Sequence, residues 1–122
     1  MPEDIRISPD RSHFVVTSAG SPSLDELTQT LATLAELRRK HHVDRILVDS
    51  RARSGQPSIL SIYRGGELLA EHLGSGARLA VLVQRIEDDH TLFENVTVNR
   101  GATVAFFDDE DSALRWLLQS ER

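Results

Sequence analysis

Cysteine is missing altogether from the 122-residue chain. That excludes a disulfide framework, a thiolate metal site and a cysteine nucleophile together, and it suits a reducing compartment. No apolar run approaches the roughly 20 residues needed to span a bilayer. The start, Met1-Pro2-Glu3-Asp4, has no basic segment leading into an apolar one, so no secretory signal is expected and the chain reads as cytoplasmic. Aromatic residues make up only 5%. A cationic excess is also lacking: the net charge is -5, which repels phosphate-rich partners, and no nucleic-acid role is expected. The basic run Arg38-Arg39-Lys40-His41-His42 falls at a helix end, where cations complement the helix dipole.

The signatures of common catalysts are missing too. There is no Gly-x-Ser-x-Gly elbow, because Gly74-Ser75-Gly76 is too compact and follows a helix. No glycine-rich dinucleotide loop or phosphate-binding loop follows a strand, so no cofactor is expected. The histidines, including the adjacent His41 and His42, show no metal-ligand spacing, and no metal is expected.

What is present is a regular alternation of short strands and amphipathic helices. Ile5 and Ile7 alternate with polar residues, Ser8 to Ser12 is a turn cluster, and His13 to Thr17 is β-branched and aromatic. Together they read as a hairpin whose first strand is a sheet edge. Ser18 to Pro22 reads as a loop. Ser23 stands three residues before Glu26, a capping box, and Leu24, Leu27, Leu31, Leu34 and Leu37 then mark one helical face. Arg45 to Asp49 is a buried-type strand, and Arg51 to Gln56 reads as a loop. Ile59, Ile62, Tyr63, Gly66, Leu69, Ala70 and Leu73 mark a second helix, ended by Gly74. Leu79 to Val83 and Ala102 to Phe107 are further strands. A weaker helix lies between them over Asp88 to Val98, and a last one follows the acidic run Asp108 to Asp111. The order β-β-α-β-α-β-α-β-α predicts one α/β domain over 1–122, with a four- or five-stranded mixed sheet. Ligands of such sheets sit beyond the strands' carboxyl ends, here 18–20, 49–53, 84–89 and 108–109.

Three stretches carry a family likeness: Arg45-Ile46-Leu47-Val48-Asp49, Arg78 to Val83, and Gly101 to Asp109 running into Ala113-Leu114-Arg115-Trp116-Leu117. In this order they resemble the STAS fold of anti-sigma-factor antagonists, and most of all the stand-alone bacterial SpoIIAA-like, or STAS/SEC14-like, domains. The resemblance implies a non-enzymatic regulatory or interaction module with a protein partner. It also implies a switch by phosphorylation at the start of the second helix, near Ser58, with Ser54 and Ser50 as competitors. The antagonists' Asp-Ser-Ser-Gly pattern is replaced here by Arg53-Ser54-Gly55-Gln56-Pro57-Ser58. The SEC14-like side of the resemblance implies the alternative, a small-ligand or lipid-binding domain.

The residues themselves allow the following roles. Ser58 or Ser54 either caps a helix or holds a phosphate, with Arg51 and Arg53 near in sequence to pair with it. Asp49, beside Ser50 at a strand end, either organises its loop, acts as a general base or, with Asp108 and Asp109, binds a cation. Tyr63, Leu92 and Phe93 either belong to the core or line a small pocket between the second and third helices. Gly65 and Gly66 weaken the second helix and allow close approach of another helix or of a second copy in a homodimer. A ligand or partner surface is thus expected around Asp49, Ser50, Arg51, Arg53, Tyr63 and Phe93.

Overall fold

The structure is a computed structural model that describes residues 3–54, 58–74, 76–99 and 103–119. Five strands, β1 (Glu3–Ile7), β2 (Phe14–Gly20), β3 (Arg45–Arg53), β4 (Arg78–Leu82) and β5 (Thr103–Phe107), form one sheet in sequential order. β1 is antiparallel to β2 and occupies an edge; β2 to β5 are parallel. Helices α1 (Leu24–His41), α2 (Ile59–Leu73) and α3 (Asp88–Asn99) are the crossovers, and α4 (Glu110–Leu118) closes the chain.

Strand alternation sorts the core into two layers. Phe14, Val16, Ile46, Leu79, Val81 and Val104 face the leucines of α1 and α2 and Phe93 of α3. Leu47 and Ala80 face Ala113 and Leu117 of α4 on the other side. Sequential parallel strands with crossovers of one hand put all three connecting helices on one face, leaving the other to α4. Trp116 borders that smaller layer, tilted against Phe107 and capped by the Arg78 guanidinium 4.6 Å from its ring.

Helix ends follow their capping residues. Ser23 and Glu26 make the reciprocal capping box, Ser58 caps α2 through the Ser61 N–H, and Asp109 caps α4 through the Ser112 N–H. His42 ends α1 in the left-handed region, where its N–H donates to the Arg38 carbonyl.

The first three residues of each of two loops expected from the sequence, 18–20 and 51–53, are strand instead. β2 continues to Gly20 and β3 to Arg53, with Ala19 opposite Ala52 and Gly20 opposite Arg53. Polar residues suit this extension because it runs past β4 and is exposed on its outer end, so the apolar pattern that marks a buried strand stops at Val48 while the ladder goes on.

Candidate functional site

Side-chain size falls along three neighbouring strands on the face beneath α1 to α3. β2 presents Phe14, then Val16, then Ser18; β3 presents Ile46, Val48, Ser50; β4 presents Leu79 and Val81, with Val83 just past its end. The register sets these in rows: Phe14, Ile46, Leu79 and Val104 at the amino end, then Val16, Val48, Val81 and Phe106. The large first row holds the helices off the sheet, and the small later residues do not fill the gap. A cavity of about 680 Å³ results, open at the carboxyl edge of the sheet. That lies within the roughly 300–1,000 Å³ of small-molecule sites. Val16, Val48, Val81, Val83 and Phe106 form its floor, and Leu27, Leu31, Leu34, Ile62, Leu69 and Phe93 its roof. Its rim is polar, with Ser21, Arg53 and Ser54 on one side and Gln84, Arg85, Glu87, Asp89 and His90 on the other.

The rim on the β3 side depends on a bulge. Between paired positions Thr17↔Asp49 and Ala19↔Ala52, β2 advances two residues and β3 advances three. An extra residue of this kind resets the in–out alternation. Ser50 and Arg53, three apart and therefore on opposite faces of a regular strand, both come to the cavity side. Arg53 confirms its facing by donating Nε–H to the buried Ser18 hydroxyl at 2.7 Å. Ser50 is 8% exposed, lines the cavity, and its hydroxyl has no hydrogen-bond partner among the described residues.

No family model matches the sequence, and no curated protein matches it significantly. Among solved structures, it is similar to the crystal structure of an uncharacterized protein from Shewanella loihica PV-4, of the DUF3478 family and with a SpoIIAA-like fold. The identity is 18%, the match covers 94% of this chain and 91% of the other, and the TM-score is 0.60. The chain has a SpoIIAA-like fold.

Within this SpoIIAA-like fold the other residues singled out from the sequence fall in different places. Arg51 borders the cavity too, but its guanidinium turns to Asp49, Nε and Nη2 donating to the carboxylate at 3.0 and 2.9 Å, and to Glu110 of α4. This grip, with the Arg51 backbone N–H at 3.1 Å, holds the Asp49 carboxyl below its usual range. Asp109 is spent on capping α4, and its pKa is lowered by the Ser112 N–H. Asp49 and Asp109 thus each have a structural partner, and among the described residues no cluster of three metal-ligating side chains forms. Ser54 is at the rim, its N–H on the Gly20 carbonyl. Ser58 is exposed at the α2 N-terminus, its hydroxyl donating to Ser61 Oγ; residues 55–57 lie outside the described residues.

The pocket expected between the second and third helices is displaced. Of Tyr63, Leu92 and Phe93, Phe93 lines the cavity, whereas Tyr63 is half exposed and Leu92 is partly buried elsewhere. Gly65 and Gly66 are the reason. A Cβ on Gly66 would stand 2.7 Å from Val96 Cγ1, and one on Gly65 3.2 Å from the Phe93 ring. The glycines let α3 close directly on α2, so no room remains between the helices and the space lies beneath them. Their close approach is intramolecular and supplies no argument for a second copy.

Charge in this SpoIIAA-like fold is segregated along the strand direction. All four helices begin at the carboxyl edge, and acids stand in the first turns of α1, α3 and α4. Arg38, Arg39 and Lys40 end α1 at the opposite edge, beside Arg45 and Arg78 at the starts of β3 and β4. Helix dipoles favour this distribution at both ends. The mouth of the cavity lies at the carboxyl edge expected from the sequence, but its extension beneath the helices was not expected, although the descending sets Phe-x-Val-x-Ser, Ile-x-Val-x-Ser and Leu-x-Val-x-Val show it once the strands are set in register.

Proposed function

We propose that the chain is a non-enzymatic binding module that holds a small amphipathic molecule in the cavity beneath α1 to α3. The observation that carries this reading is the cavity: about 680 Å³, apolar in its floor and roof, polar at its rim, and open where ligands of parallel sheets enter. The occupant's apolar part lies against Val81 and Phe93, and its polar part reaches the rim. The test is mass spectrometry of the protein from its own host under native and then denaturing conditions. The expected result is a non-covalent small-molecule mass that denaturation removes and that a Val81→Phe variant, with its floor raised, does not carry. A bare wild-type chain would count against the reading.

A second reading follows from Ser58, which is an exposed N-cap with Leu60 and Tyr63 exposed within the next turn and a half. α2 has no acid in its first turn, so a phosphate there would meet the positive helix end without repulsion from a carboxylate of that turn. On this reading the module binds a protein partner through that surface and modification of Ser58 or Ser54 switches it. A covalent phosphate surviving denaturation on either serine, and loss of a partner in Ser58→Asp, would favour it.

A further inference from the structure

Resting on the ligand-binding reading, we infer that the occupant is an amphipathic monocarboxylate, with its chain in the cavity and its carboxylate held between the Ser50 hydroxyl and the Arg53 guanidinium. Ser50 is more than nine-tenths buried, faces the cavity and lacks a hydrogen-bond partner among the described residues. A buried hydroxyl of this kind calls for a polar atom to be delivered into an otherwise apolar space. The β3 bulge sets Arg53 on the same face, and its bond to Ser18 fixes the guanidinium over the same side of the rim. A planar cation beside a hydroxyl donor is the chemistry that recognises a carboxylate.

The opposite side of the rim narrows the class. Glu87 and Asp89 line it, and Arg85 there is bonded to Glu87 at 3.2 Å. A phosphomonoester, with nearly twice the charge, would face these carboxylates across the mouth. A single negative charge directed to the β3 side avoids them. The volume, about twenty times the roughly 30 Å³ share of a water molecule, accommodates a chain of about ten carbons.

The probes are decanoate, decan-1-ol and decyl phosphate, titrated calorimetrically into the full chain. Decanoate is expected to bind at least about tenfold more tightly than the alcohol, the effect of a charge-assisted hydrogen bond. Arg53→Gln and Ser50→Ala should each weaken decanoate more than decan-1-ol and so erode that preference, and Val81→Phe should abolish binding of both. Equal affinity for decanoate and decanol overturns the carboxylate assignment and leaves the cavity reading standing. Tighter binding of decyl phosphate also overturns it, in favour of a dianionic head. Binding of none of the three overturns the assignment and the underlying reading together.

Discussion

Ser50 is placed where no described residue gives its hydroxyl a hydrogen-bond partner. An unpartnered buried hydroxyl costs roughly 1–3 kcal/mol relative to a satisfied one. Ser50→Ala should therefore leave the urea stability of the free protein unchanged or raise it by up to about 1 kcal/mol. A loss larger than that would mean the hydroxyl has a protein partner after all. His13 gives a second test at this scale. Its partly buried ring is desolvated, which lowers its pKa below 6.5, with Asp10 opposing the shift. Below 6.5 the unfolded chain takes up a proton that the folded one resists, so stability falls as the pH drops through that value. His13→Gln should shrink the fall in urea midpoint between about pH 7.5 and about pH 5.5. An unchanged difference between the two pH values would remove His13 from the account. Ser50 was expected at a ligand surface because it follows a strand end, but its burial against a cavity was not legible, and a histidine on a hairpin carries no pattern that marks it as partly buried.

Elements were more legible than residues. The leucine stripe of α1 and the capping box at Ser23 and Glu26 placed that helix to within a residue, because periodicity and capping are local properties. The far end of β3 was not legible, since a strand that is exposed on its outer end carries no apolar alternation and is recognised only by its partner β2. The bulge is beyond sequence for the same reason: it is a relation between two strands. The α2–α3 contact yields a prediction of its own. In an isolated helix Gly66→Ala would gain about 1 kcal/mol, but here the added methyl meets Val96 at 2.7 Å. The substitution should cost about 1–3 kcal/mol by chemical denaturation. A gain would show that the two helices are not in such close contact.

Over the whole molecule, the alternation of strand and helix was enough to give the fold class, the order of elements along the chain and a mixed sheet, because each crossover both fixes strand direction and covers a face. What it could not give was the hollow, which depends on side chains from three strands far apart in sequence lying in register. The segregated charges have a consequence for how the molecule meets its surroundings. Acidic side chains predominate at the carboxyl edge, despite Arg51, Arg53 and Arg85 there, and basic ones at the other, despite Asp44, which gives the side-chain charges a net dipole along the strands. Despite the net charge of -5, an anionic surface would draw the edge bearing Arg38, Arg39 and Lys40 toward itself. The carboxyl edge, where the cavity opens, would then face away from that surface.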